Sequence, residues 1–200
     1  SLVEDEGVRS ARLLDAQAKA ADLFAAIEPR GIIAPGVRET EASDAVRDLA
    51  AEMFGVDRHW HKRIVRAGPN TLQPYRKNPP DRTIAADDIV FLDFGPIFEQ
   101  WEADFGRTYV LGDDPVKLRL RDALPVMFRA GRQFFGAHED VTGEQLYAHM
   151  TGLAEADGWT FGGTIAGHLV GQFPHEKIAG EDIESYIAPG SGKPMRRADR

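Results

Sequence analysis

Ile89-Val-Phe-Leu-Asp93-Phe-Gly95 is a run of strand-forming apolar residues that contains one carboxylate. A second such run, Glu102-Ala-Asp104-Phe-Gly-Arg-Thr-Tyr-Val-Leu111, also carries an Asp. An ionised Asp buried alone in a strand is costly, because buried charges are retained mainly when they are paired or bind a metal ion. We therefore interpret Asp93 and Asp104 first as metal ligands.

The spacing of the two Asp residues favours a pair of antiparallel strands. The segment between them is long enough for the first strand to end near Gly95, turn and return beside itself, so that Asp93 and Asp104 face each other. Side chains alternate between the two faces of a strand, which puts Asp93 on the opposite face from Leu92. The alternative is that each Asp caps a turn or pairs with Arg107.

The composition indicates one ordinary globular domain spanning residues 1–200. The chain is 42% hydrophobic, which is enough to bury a sizeable core. Its 24 Lys and Arg against 32 Asp and Glu give a net charge of -8, so we expect no nucleic-acid partner. The absence of Cys excludes disulfides and thiolate sites. The acidic amino terminus lacks a leader or an apolar span, which predicts a cytoplasmic protein without a membrane partner.

Hydrophobic periodicity predicts an α+β fold with an antiparallel sheet and flanking helices. The predicted order is helix, helix, strand, loop, strand pair, helix, helix, strand, with the last strand at Trp159–Phe161. Thr40 is the expected cap of the second helix, and Gly55 its end. The prolines between Gly68 and Arg82 predict an irregular loop.

Histidines supply the remaining candidate site residues. In Gly167-His168-Leu-Val-Gly-Gln-Phe-Pro-His175-Glu176, glycines allow two imidazoles to converge on one cavity. His168 is the ligand candidate, because imidazole with carboxylates suits Mn, Co, Zn or Fe. His175 is assigned as a hydrogen-bond donor or proton shuttle. His59 and His61 are interpreted as an exposed polar strand end, the alternative being that they assist a metal.

These motifs together resemble the pita-bread metallopeptidase family, which includes methionine aminopeptidase, aminopeptidase P, prolidase and creatinase. The segments Pro35-Gly-Val-Arg-Glu-Thr-Glu41 and Gly68-Pro-Asn70 also look like that family. The similarity runs from about Gly31 to Glu176. The motif Phe105-Gly-Arg-Thr-Tyr109 is more similar to the aminopeptidase P and prolidase branch than to the methionine aminopeptidase branch.

The resemblance implies a pita-bread fold and a hydrolase with two divalent metal ions (Mn, Co, Zn or Fe). In this family pattern Asp93 binds one metal through both oxygens, Asp104 bridges the two, and His168 holds the second. A bridging hydroxide is the implied nucleophile. His175 would contact the substrate and steady the oxyanion or the scissile amide. The implied activity is removal of the N-terminal residue of peptides, including before proline. A homodimer is a separate expectation for this chain.

Two departures from the family pattern bear on activity. Tyr75 stands where the aminopeptidase P pattern has a substrate-binding His, so Tyr75 is assigned to substrate binding as a hydrogen-bond donor. Two further Glu ligands of the family come from strands that follow the His region. We expect these Glu residues, and the last strands of the fold, beyond Arg200. The alternative is that the chain ends there with an incomplete site. The alternative function is a catalytically inactive pita-bread module that binds a peptide or a protein partner.

Overall fold

A computed structural model describes residues 2–160 and the backbone of two short strands at 167–168 and 186–187, with side chains from residue 6 to residue 160. The chain divides into two compact units, and the boundary within the described residues follows Leu118. The single-domain assignment stays a prediction.

The helices are α1 (Leu2–Ile27), α2 (Glu39–Phe54), α3 (Pro115–Ala137) and α4 (Gly143–Ala156), with a 3-10 helix at Gly68–Leu72. The strands are β1 (Ile64–Ala67), β2 (Ile89–Phe94), β3 (Ile97–Phe98), β4 (Trp101–Glu102), β5 (Phe105–Val110), β6 (Gly167–His168) and β7 (Tyr186–Ile187).

An antiparallel sheet with the order β1-β2-β5 forms the centre of the first unit, and β3 and β4 pair as a short hairpin between β2 and β5. The predicted alternation along β2 is confirmed, since Val90, Leu92 and Phe94 are buried whereas Asp93 is half-buried. The apolar face of the sheet shares one hydrophobic core with α1 and α2. For example, the ring of Phe24 on α1 packs edge-on against Phe94. This packing leaves Asp93 on the face away from the core.

Helix α2 begins without the predicted Thr40 cap. Arg38 occupies the N-cap position and makes no side-chain capping bond. Thr40 instead donates through its hydroxyl and its backbone N–H to the carboxylate of Asp81, at 2.9 and 3.1 Å. The end of the helix is as predicted, because Gly55 adopts a left-handed conformation with φ 67° that closes the last turn.

The predicted irregular loop between β1 and β2 is fixed by buried charged side chains. After the 3-10 helix, the loop wraps around Arg66, whose guanidinium donates to the carbonyls of Gln73, Pro74, Tyr75 and Lys77. Glu39, at the start of α2, accepts hydrogen bonds from the backbone N–H groups of Ala67 and Arg82. The loop is therefore held by side-chain contacts to its backbone rather than by strand pairing.

The second unit contains the predicted helix pair. Thr142 and Gln145 form a capping box at the start of α4, each side chain bonding the backbone N–H of the other residue. Strands β6 and β7 are antiparallel, with His168 opposite Tyr186. Trp159 and Thr160 are not in a strand, so that part of the predicted last strand is wrong, and Phe161 lies outside the described residues. Across the described part of the chain, every helix is too short or too polar to cross a lipid bilayer.

Candidate metal centre

The paired strands bring Asp93 and Asp104 together at one end of the sheet. Asp93 lies opposite Gly106 in the register of β2 and β5, and Asp104 comes immediately before β5. Ligand atoms of Asp93, Asp104 and His61 all lie within 4.8 Å of one another. Carboxylate oxygens together with an imidazole nitrogen are a donor set that suits Mn, Co, Zn or Fe. The residues therefore fit the kind of metal that the sequence analysis expects.

His61 is the member of this cluster that sequence reasoning placed elsewhere. Its side chain is only 8% exposed, and it lies in the irregular segment before β1, so its interpretation as an exposed strand end is wrong. Its Nε2 atom lies 3.5 Å from Oδ1 of Asp93 and 3.6 Å from Oδ1 of Asp104. The sequence does show two histidines, His59 and His61, two positions apart, which is a possible sign of a metal site. Nothing in the local pattern indicates which of the two rings points at the carboxylates.

Close packing fixes the ring of His61. A Cβ atom added at Gly95 would lie 2.6 Å from Cδ2 of His61 and 2.5 Å from Nε1 of Trp60, so only glycine fits at the end of β2. Trp60 is itself held by a hydrogen bond from Nε1 to the carbonyl of Ala103, 2.8 Å away. The rings of Trp60 and His61 meet edge to face. Gly95 thus allows both rings to sit directly against the strand that carries Asp93.

The two neighbouring histidines have opposite electrostatic environments. Burial lowers the pKa of His61, but the Asp104 carboxylate, the Lys62 carbonyl and the Asp93 carboxylate together raise that pKa above its ordinary value. Burial, together with the charges of Arg63 and His61, lowers the pKa of His59 to about 4. A positive charge is therefore favoured at His61 and disfavoured at His59.

Tyr75 lies beside the cluster, at the rim. Its ring is 6.0 Å from that of His61 between centroids, and the side chain is half-exposed. Burial raises the pKa of Tyr75, as do the charges of Asp93 and Asp104, although the Lys62 backbone opposes them. Arg66 and Lys62 position the loop that carries Tyr75, since both donate to the carbonyl of Lys77. A small molecule near the carboxylates would thus meet the hydroxyl-bearing ring of Tyr75.

The histidines predicted in the second half of the chain are not tested by this geometry. The backbone of His168 lies in β6, and its side chain is outside the described residues. His175 lies wholly outside them. Both assignments remain predictions.

No curated protein matches the sequence significantly. The fold is similar to an X-Pro aminopeptidase from Thermotoga maritima, with a TM-score of 0.74 at 19% identity, covering 94% of this chain and 50% of that one. It is also similar to a recombinant prolidase from Thermococcus sibiricus, with a TM-score of 0.67 at 23% identity, covering 95% and 51%.

A zinc-substituted Escherichia coli aminopeptidase P in complex with product matches with a TM-score of 0.60 at 13% identity, over 72% of this chain and 33% of that one. The chain thus spans about half the length of the first two structures. These similarities confirm the predicted pita-bread fold, with its antiparallel sheet and flanking helices. The sequence model of metallopeptidase family M24 matches residues 11–198, and the chain belongs to that family.

Proposed function

We propose that this protein is a metal-dependent exopeptidase that removes the N-terminal residue of peptides, including residues that precede proline. The observation that carries the proposal is the convergence of Asp93 and Asp104, within 4.8 Å of each other and of His61, in a chain of a metallopeptidase family. Asp93 and Asp104 are the proposed metal ligands. Divalent metals of the Mn, Co, Zn or Fe class, when bound, would supply a water of lowered pKa as the nucleophile.

The chain's own residues have distinct proposed roles in this reaction. The β2–β5 pairing holds Asp93 within a strand and Asp104 at the start of its partner strand, which favours a precise geometry for metal binding. Tyr75, at the rim, is proposed to donate a hydrogen bond from its hydroxyl to the peptide. His168 as a further ligand and His175 as the group that steadies the scissile amide are proposals from the family resemblance. Cytoplasmic location, a dinuclear centre and a homodimer are further proposals for this protein.

The test compares Asp104→Asn with Asp113→Asn, because both substitutions replace one carboxylate by an amide. Asp113 is exposed and stands just before the start of α3, outside the cluster. We expect Asp104→Asn to lose bound metal, measured by plasma mass spectrometry after loading with Mn²⁺, Co²⁺ or Zn²⁺. It should also lose hydrolysis of Xaa-Pro peptides, whereas Asp113→Asn should retain both. Acetylation of the peptide's amino group should abolish cleavage, since an exopeptidase needs a free N-terminus.

Two results would contradict the proposal. Equal metal content in Asp104→Asn and the unaltered protein would remove the ligand assignment. Metal binding without cleavage of any free or acetylated peptide would instead favour the alternative of an inactive module that binds a peptide or a protein partner. Peptide affinity measured without metal then tests for that module. An inactive binding module should bind the peptide equally well in the unaltered protein and in Asp104→Asn.

A further inference from the structure

The orientation of the His61 ring is fixed by its Nδ1 atom. Nδ1 lies 2.7 Å from the carbonyl oxygen of Lys62. A carbonyl can only accept a hydrogen bond, so Nδ1 carries a hydrogen and donates it. In a neutral imidazole the other nitrogen, Nε2, then presents a lone pair. This lone pair points towards the region of the two carboxylates.

Two carboxylate oxygens lie beside this lone pair. Oδ1 of Asp93 lies 3.5 Å away and Oδ1 of Asp104 lies 3.6 Å away. A lone pair beside two carboxylate oxygens favours a cation between them, either a proton on Nε2 or a metal ion. The cluster is thus built around a cationic position.

The distances favour the metal ion over the proton. A charge-assisted N–H···O bond is about 2.7–2.9 Å long, shorter than both separations from Nε2 of His61. Ligands that sit about 2.0–2.2 Å from one metal ion lie about 2.8–3.1 Å apart in octahedral coordination and about 3.3–3.6 Å apart in tetrahedral coordination. The observed 3.5 and 3.6 Å lie within the tetrahedral range. The spacing is that of donors around a metal.

The surroundings of His61 are those of a metal-binding imidazole. Histidine ligands commonly donate their other ring N–H to a carbonyl, which fixes the tautomer and raises ligand basicity. The Lys62 carbonyl does this for His61. Gly95 and the anchored ring of Trp60 restrict rotation, because a Cβ at Gly95 would collide with both rings. The ring is held in place before any ion arrives.

We propose that Nε2 of His61 is a direct ligand of a divalent first-row metal, which Asp93 and Asp104 also bind. This assignment goes beyond the ligands that the family resemblance implies, and it rests on the proposed function only through Asp93 and Asp104. Strand β2, the residue just before β5 and the segment before β1 then supply three donors from one compact unit. All three donors precede α3 in the chain.

Titration with Co²⁺ tests the proposal, because its visible absorption reports ligand number without any catalysis. His61→Asn is the informative variant, since the shorter amide can still reach the Lys62 carbonyl but places nothing at the position of Nε2. The matched control is His138→Asn. His138 lies on the exposed surface of the second unit, and its Nδ1 makes a similar contact, 2.8 Å from the Phe134 carbonyl. We expect His61→Asn to weaken Co²⁺ binding by about 100-fold or more and to change the absorption spectrum, with no change for His138→Asn.

A second readout does not depend on how well the variant folds. In protein labelled with ¹⁵N-histidine, saturating Zn²⁺ should move the Nε2 resonance of His61 to a metal-bound position and leave Nδ1 protonated. An unmoved Nε2 resonance would overturn the proposal. Unaltered Co²⁺ affinity in His61→Asn, with affinity lost in Asp104→Asn, would overturn it while leaving the proposed function intact. Unaltered affinity in Asp104→Asn would overturn both.

Discussion

Replacement of Glu39 by Ala should weaken the fold much more than removal of an exposed carboxylate from the same helix turn. Glu39 is 6% exposed and accepts hydrogen bonds from the N–H groups of Ala67 at 2.7 Å and Arg82 at 2.8 Å. It also accepts from the Asn70 side chain at 2.9 Å. One carboxylate therefore ties the start of α2 to β1 and to the segment before β2.

The size of the effect follows from which donors lose their partner. Ala67 is fully buried, so its orphaned N–H costs about 1–3 kcal/mol. Arg82 is half-buried, and water can replace part of its lost bond at a cost of about 1 kcal/mol. The Asn70 amide keeps the Pro80 carbonyl as an acceptor, 3.0 Å away, and adds little. The free energy of unfolding should fall by about 2–4 kcal/mol, which corresponds to a Tm lower by about 5–15 °C.

Urea unfolding followed by tryptophan fluorescence measures this change. Glu41→Ala is the matched control, because Glu41 is an exposed acid in the same first turn and its loss has the same effect on the helix dipole. Glu39→Gln should fall between the two, since one amide oxygen still accepts while the amide NH₂ opposes a donor. Stabilities of Glu39→Ala and Glu41→Ala that agree within about 0.5 kcal/mol would refute the reasoning.

Three further predictions concern the surroundings of the candidate metal centre. Gly95→Ala should destabilise the protein by about 1–3 kcal/mol and weaken Co²⁺ binding, because the added methyl collides with two packed rings, whereas Gly136→Ala, which meets no atom within 4 Å, should do neither. Thermal melts and metal titration check this pair. His59 has a pKa lowered from 6.5 to about 4, so the unfolded chain takes up a proton before the native state does. Stability should therefore fall by about 1–2 kcal/mol as the pH decreases from 6.5 to 4, after allowing for partial exposure, and His59→Phe should flatten this decline in urea titrations at several pH values. Arg66→Lys should increase hydrogen exchange and proteolysis at residues 73–77, because an ammonium cannot reach the four carbonyls that the guanidinium contacts; unchanged protection would contradict the role of Arg66.

The strand pair was predictable from sequence because its signal is local and periodic. Apolar residues alternate faces around Asp93, and Gly95 ends the run, so pairing with the segment after Asp104 follows from strand geometry. The helices were predictable for the same reason, as the buried stripe of α1 and the left-handed Gly55 show. The family to which the chain belongs was predictable from several motifs that occur in a fixed order.

The parts that sequence reasoning missed depend on contacts between distant residues. Asp81 takes over the capping of Thr40 across 41 positions, which no rule for local capping detects. His61 belongs to an irregular segment, where no period tells which side chain is buried. Its orientation requires a carbonyl at one ring nitrogen and a glycine 34 residues later, a coincidence that only the folded chain displays.

Because of the way in which Arg66 holds its loop, the path of the loop backbone does not depend on which side chains the loop carries. All four acceptors at residues 73–77 are main-chain carbonyls, which every amino acid provides. A residue in this loop can therefore be exchanged without loss of the bonds that shape it. Tyr75 is then a position at which evolution, or a designer, can alter what the site recognises by a single substitution while the scaffold keeps its stability.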